Sequence, residues 1–324
     1  MRTVLVELKR FRARRAIALM LLAAALLTAL IAGTKLWDTR PIAASEVAAA
    51  RAQAAHDAST PDFKRELRRC QKNPEDYLGP GTTADQCAEM MSPRPEGYLT
   101  RSPLALDQVK DNEGLGALLL VAGIMTIVGT TFAGADWASG SMSNQLLFEP
   151  RRSRLWLAKA AALFVGTLAV AAVIMTAFWA VMFLVADARG IATGATVQES
   201  IRATVGRGVL LAGVGALGAY ALTMLLRHTV GTLAVLFAYA VGGTAVIEAL
   251  PVAGVGRWSV GNNVQAWLLD GYQYYDQSIR CAAGGDSCDR QVHLSLAQGA
   301  DYLGVILAVV VVASVVMFRR RDIP

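Results

Sequence analysis

The chain is 324 residues long, 54% hydrophobic and only 17% charged, with a formal net charge of +6. So much apolar material with so few charges excludes a disordered chain and points away from an ordinary soluble domain. The excess of 31 Lys and Arg over 25 Asp and Glu gathers beside apolar runs, so it reads as a topology signal and gives no case for nucleic-acid binding.

Six apolar runs cross the chain, at 16–34, 115–133, 160–186, 208–226, 230–250 and 302–318. Each is long enough to span roughly 30 Å of hydrocarbon at about 1.5 Å per residue. Lipid offers the backbone no hydrogen-bond partners, so each run must close its own ladder as a helix. The expected fold is an all-α integral membrane protein with six transmembrane helices.

Taken in chain order, segment 1–15 is basic and amphipathic. Val4, Leu8 and Phe11 share one helical face, while Arg2, Lys9, Arg10, Arg12, Arg14 and Arg15 take much of the rest. The first run, 16–34, competes with a cleavable signal peptide, because small residues follow around 43–50. Its length, and Lys35, Trp37, Asp38 and Arg40 ahead of those residues, favour retention; cleavage would leave five spans and the rest unchanged.

Segment 35–114 is long enough for a small domain. Its part 42–69 is rich in Ala, Arg, Glu and Gln, and is expected to extend the first span as a helix. Part 73–103, broken by Pro74, Pro80, Pro93, Pro95 and Pro103 with Gly79, Gly81 and Gly97, is expected to be turns and loop.

After the run 115–133 comes loop 134–159. Asp136, Ser139, Ser141 and Ser143 are candidate caps for a short helix there, and Gly140 lets the chain bend. Leu146, Leu147 and Phe148 supply an apolar face; Pro150 ends the helix and sets the approach of Arg151, Arg152 and Arg154 to the run that follows Lys159. A short helix with an apolar knob and a basic flank, tied to two spans, suits docking into a soluble partner. A solvated basic loop that only sets topology is the bland alternative.

Beyond the run 160–186 lie a loop at 187–207, the run 208–226, a turn at 227–229 with Arg227 and His228, and the run 230–250. Gly206, Gly208, Gly213, Gly215 and Gly218 mark one run and Gly231, Gly242 and Gly243 the next, as close helix packing within the chain requires. Glu248 stands near the end of the fifth run, where a solvated interfacial carboxylate is favoured over a substrate contact. Segment 251–301 holds Trp258, Trp267, Tyr272, Tyr274 and Tyr275, expected as an aromatic belt at headgroup level, with a short helix at 264–269. The last run, 302–318, is followed by a basic tail, 319–324.

Orientation follows from these charges. The basic clusters precede the first run, divide the second from the third and follow the last, whereas 35–114 and 251–301 mix both signs. The positive-inside rule puts both termini in the cytoplasm and the two long segments outside. The four cysteines agree, since Cys70, Cys87, Cys281 and Cys288 all fall in those outer segments. Two disulfides are expected. Of three possible pairings, Cys70 with Cys87 and Cys281 with Cys288 is favoured, because each closes a loop within one segment. Free thiols are the alternative, and no Cys-x-x-Cys spacing supports zinc.

No phosphate-cradling Gly-x-x-x-x-Gly-Lys-Ser/Thr loop occurs, nor His-Glu-x-x-His, nor Gly-x-Ser-x-Gly. His56, His228 and His293 are scattered over both sides and form no metal site. Ionisable residues of the spans, Lys159, Arg207 and Glu248, sit near their ends, whereas an ion-coupled transporter needs such groups at mid-membrane. Catalysis within the chain is not expected, and work on a substrate must be powered by another subunit.

The loop also carries a family resemblance. An acid-x-x-x-Gly-Ser pattern, then Leu-Leu-x-x-Pro, a basic cluster and a Lys resembles the permease subunits of ABC-2 type transporters, on Asp136, Gly140, Ser141, Leu146, Leu147, Pro150, Arg151, Arg154 and Lys159. Asp136 stands where that family usually has Glu. The ending Phe318-Arg-Arg-Arg-Asp322-Ile323 is similar to the Arg-Asp-hydrophobic tail of these permeases, and the amphipathic start to their elbow helix. The resemblance implies an exporter's membrane subunit in a bacterial cytoplasmic membrane, working as a homodimer or with a homologous permease. It implies two cytoplasmic ATPase subunits docked on loop 134–159, with ATP and Mg held by those partners and no cofactor in this chain. The long segment 35–114 exceeds the minimal family pattern. An ATP-independent secondary transporter or channel is the alternative class, and an intramembrane enzyme or a signalling protein a third.

Overall fold

In a computed structural model the described residues are 2–79, 81–99, 101–250, 252, 254–276, 279 and 290–321, without the side chains of Arg2 and Glu248. In chain order the helices begin with α1 (Arg2–Ala13), α2 (Arg15–Asp38), α3 (Ala44–Ser59), α4 (Pro61–Lys72), α5 (Pro74–Leu78) and α6 (Ala84–Met91). Next come α7 (Leu106–Val109), α8 (Leu115–Ala138), α9 (Ser141–Phe148), α10 (Arg152–Ala188) and α11 (Ala195–Leu226). Then follow α12 (Thr229–Phe237), α13 (Gly243–Ala249), α14 (Val260–Leu268), strands β1 (Tyr272–Tyr275) and β2 (Gln291–Leu294), and α15 (Leu296–Arg320). Single π-helical turns at Lys110–Gly114 and Ala238–Gly242 join α7 to α8 and α12 to α13.

Six helical stretches are long and apolar enough to cross a membrane: Arg15–Asp38, Leu106–Ala138, Arg152–Ala188, Ala195–Leu226, Thr229–Ile247 and Leu296–Arg320. They coincide with the six apolar runs, as an all-α membrane protein requires. Four of the six, the first three and the last, overrun their runs at both ends, because a charge ends an apolar stretch without ending a helix. At about 1.5 Å per residue, α10 is ~55 Å long, well beyond the hydrocarbon. The loop expected at 187–207 is corrected accordingly: Gly194 is the N-cap of α11, and Glu199, Arg202 and Arg207 lie on that helix.

The chain divides into two compact units, Met1–Ala32 with Leu106–Pro324, and Gly33–Ala105. The core of the first unit is α8 against α11. A Cβ on Gly129 of α8 would collide with the backbone of Ala216, so the two helices meet backbone to backbone, where lipid leaves van der Waals contact as the main attraction. Gly208 and Gly213 on α11 instead make room for the side chains of Leu118 and Leu168, which is the intrachain packing expected of these glycines. Gly206 and Gly242 meet nothing within 4 Å.

Segment 251–301 departs from the expectation of one short helix. α14 is longer, and β1 pairs with β2 antiparallel, Tyr272 opposite Leu294 and Tyr274 opposite Val292. Tyr274 is not a belt residue: it packs with Ala266 and Leu294 in a small core. Trp258 and Tyr275 are exposed as a belt requires, while Trp267 donates from Nε1 to the Arg207 carbonyl at 3.0 Å.

The second unit is helical where loop was expected. α3 starts afresh at Ala44, after a non-helical stretch at 39–43, instead of continuing the first span. Thr60, with Pro61 behind it, caps α4 by accepting from the Phe63 amide at 3.3 Å. Within 73–103 the prolines start helices: Pro74 opens α5, Pro95 opens a 3-10 turn at Pro95–Tyr98, and Thr83 forms a capping box with Gln86 to open α6. Proline at a first helical position loses nothing, since its missing N–H had no partner there. The Cys70–Cys87 disulfide joins α4 to α6. Cys281 and Cys288 lie outside the described residues.

Candidate functional site

The short helix α9 is built by its surroundings more than by caps. Gly140 takes a left-handed φ of 67° and turns the chain from α8 into α9, a conformation without steric cost only for glycine. None of the serines caps the helix through its side chain; Ser139 instead bonds back to the Ala135 carbonyl at 2.7 Å. Ser141 donates to Asp136 Oδ1 at 2.9 Å, and Gln145 donates to Ser141 Oγ at 3.3 Å. Met142 and Gln145 are buried on the inner face of α9.

The outer face is the reverse. Leu147 is 81% exposed and Phe148 90% exposed, and Leu146 is half-buried. The helix ends at Phe148, ahead of Pro150, and Arg154 at the start of α10 pairs with Glu149 at 3.5 Å. Arg151 and Arg154 are exposed. An apolar pair with basic neighbours therefore projects from a helix whose other face is seated.

Beneath α9 lies a buried cluster of charges. Lys159 of α10 is 0% exposed, and its Nζ reaches Asp136 Oδ2 at 2.5 Å and Glu7 Oε2 at 2.8 Å. Arg14, between α1 and α2, pairs with the other Asp136 oxygen and donates to the Phe132 carbonyl at 2.5 Å. Arg10 pairs with Glu7 at 3.0 Å from the exposed rim. Two cations approach the Phe132 ring, Arg14 Cζ at 5.0 Å and Lys159 Nζ at 5.5 Å from its centroid. Below it, Phe11, Phe132, Tyr220 and Trp156 form a chain of ring contacts, from 5.3 to 6.5 Å between centroids. Two carboxylates face two buried or half-buried cations, so the charges balance locally, as burial demands.

Of the residues singled out in sequence, Asp136, Ser141 and Lys159 meet here, and Gly140 sets the turn. Asp136 and Lys159 are buried and pair with each other, whereas Leu147, Arg151 and Arg154 are exposed. Val4 and Leu8 are half-buried and Phe11 buried on one face of α1, as the amphipathic reading requires. Lys159 stands near the end of its span, as read from the sequence, but is buried there against Glu7 of α1. Glu7 and Arg14 were missed. Their signal was present, since Glu7 is the only carboxylate in the basic start and shares a face with Phe11 and Arg14, at i, i+4 and i+7.

His228 accepts from the Gly231 amide at 2.9 Å and so caps α12, completing the turn expected at 227–229. Glu248, the other candidate contact, has no described side chain, and Asp322 and Ile323 of the tail lie outside the described residues. Among the described residues no group of three or more His, Cys, Asp or Glu could hold a metal. The chain matches no family model, no curated protein and no solved structure.

Proposed function

We propose that this chain is the membrane-spanning permease subunit of an ABC-2 type exporter, with both termini and α9 in the cytoplasm. The observation that carries the reading is the exposed Leu147–Phe148 pair on a helix that is tied through Ser141 to Asp136 of α8, a carboxylate that Lys159 and Arg14 also hold. A partner that pushes on α9 acts through Ser141 on Asp136 of α8, and through Asp136 on Lys159 of α10 and Arg14 behind α1. Glu7 ties α1 to the same lysine. A soluble ATPase holding ATP and Mg would supply the stroke, two copies serving a pair of permeases. The cargo is a hydrophobic or amphipathic molecule, since the apolar runs carry few charges.

Gentle detergent extraction followed by affinity purification tests this directly. A stoichiometric ATPase should accompany the wild-type chain. Changing Leu147 and Phe148 to Asp should weaken that association by about tenfold or more, the scale of an interface hot spot, with the chain still in the membrane. Purification without any ATPase from membranes where other such complexes stay intact would sink the proposal. One observation favours the second reading, a secondary transporter: Lys159, Asp136 and Glu7 form a buried titratable group. Substrate movement by the chain alone in proteoliposomes, driven by a proton gradient, would select it.

A further inference from the structure

At the same end of the first unit, a second charged cluster is built in the opposite manner. Arg152 opens α10, Arg227 follows α11, and Arg319, Arg320 and Arg321 close α15. Arg152 donates to the carbonyls of Arg319 and Arg321, at 3.4 and 2.5 Å, and Arg321 donates to that of Leu225 at 3.4 Å. The Arg227 guanidinium rests on the Trp137 ring at 4.8 Å. Burial, and then repulsion from Arg321 and Arg152, holds its pKa below the ordinary arginine value. Among the described residues, no carboxylate pairs with Arg152, Arg319, Arg320 or Arg321.

The hydrogen bonds account for part of this arrangement. The guanidiniums satisfy open carbonyls at the ends of α11 and α15, and two helix C-termini supply together roughly one negative charge. Arg152, Arg319, Arg320 and Arg321 exceed that even when the charge of Asp322, the next residue in the chain, is counted. The excess sits at the foot of an apolar stripe, because Val305, Val309, Val312 and Val316 are all exposed along one face of α15. Arg319 and Arg320, at i+3 and i+4 from Val316, continue that face. The stripe spans about 16 Å, close to the ~15 Å of one leaflet's hydrocarbon.

We infer that this cluster and stripe bind one anionic phospholipid, its phosphate among Arg152, Arg320 and Arg321 and an acyl chain along the α15 valines. A soluble phosphate shares the headgroup chemistry but leaves the stripe unused, so lipid is the occupant the surface fits. Basic sites between span ends hold anionic headgroups by this combination of charge and apolar contact. The site is independent of the transporter reading, because it needs only the membrane.

The test uses the full-length chain, purified in mild detergent and titrated with phosphatidylglycerol or phosphatidylcholine of identical acyl chains. Native mass spectrometry reads bound lipid, and glycerol 3-phosphate serves as the soluble competitor. Phosphatidylglycerol should be retained and phosphatidylcholine lost. The R152Q/R321Q variant should bind phosphatidylglycerol ten- to thirtyfold more weakly, at about 1 kcal/mol per arginine. R152K/R321K should restore most of the binding, and K64Q/R68Q, on the other unit, should match wild type. Equal retention of both lipids by the wild-type chain overturns the inference, even if the variants fail to fold. So does displacement by glycerol 3-phosphate at concentrations matching the lipid, which would identify a soluble-anion site. Unchanged affinity in R152Q/R321Q would do the same.

Discussion

Lys159 is the residue on which the candidate site turns. Its side chain is fully buried, and both Asp136 and Glu7 contact its Nζ. Removing one member of such a group leaves an uncompensated charge in a poorly solvated place. Lys159→Met or Asp136→Asn should therefore cost about 3–5 kcal/mol, read as a lower thermal midpoint or a loss of folded protein in membranes. Leu147 and Phe148 stand at the other extreme. Changing both to Asp should leave the midpoint unaltered, because neither side chain is packed in the chain itself. If that variant unfolds as readily as Lys159→Met, the apolar pair belongs to the core and the docking surface is lost. Gly129 makes a third case, since any side chain there meets the Ala216 backbone. Gly129→Ala should force α8 and α11 apart and destabilise by about 1–3 kcal/mol.

Among the elements, the helical unit at Gly33–Ala105 has its own fastenings. Cys70 and Cys87, 17 residues apart, tie α4 to α6. A loop of that size stabilises by about 3 kcal/mol, so reduction should lower the thermal midpoint of this unit while leaving the spans folded. Tyr98 links the 3-10 turn to α3 by donating to Asp57 Oδ2 at 2.7 Å. That bond, and then the His56 ring, holds the Asp57 carboxyl below its ordinary pKa. A carboxyl with a depressed folded pKa contributes stability above its unfolded value, near 4, and loses it as pH falls through the folded value. Tyr98→Phe should therefore flatten the acid limb of a pH–stability curve for this unit, by a small margin because the pair is exposed. An identical acid limb in the variant would show that the bond contributes nothing.

For the whole molecule, the proposed topology, in which all six span-length helices cross, puts α1 and the last turn of α15 on the same side of the bilayer. A protease site inserted between Glu149 and Pro150 should be cut only from that side, and one between Gly190 and Ile191 only from the other. Cleavage of both from one side would mean that the third helix does not cross. The two charge clusters share this end of the first unit yet differ in kind. The group around Lys159 is internally neutralised and locks α1, α8, α9 and α10 together, while the arginines at the span ends carry an excess that calls for an anion from outside.

The number of spans, their approximate centres and the favoured Cys70–Cys87 pairing were legible in the sequence. Hydrocarbon thickness sets a length for every apolar run, and a loop closed within one segment constrains its own partners. The apolar tip of α9 was legible too, since Leu146, Leu147 and Phe148 stand together beside Pro150. What only the tertiary structure decided is which charges face one another. Glu7 and Lys159 are 152 residues apart, and nothing local says that α1 folds back to seal a lysine. The helices α5 and α6 and the strand pair β1–β2 were likewise hidden. Short elements draw their stability from capping and packing partners instead of from a long periodic pattern. Hydrophobic length is a property that each segment carries alone, whereas a buried ion pair exists only once two distant segments share one interior.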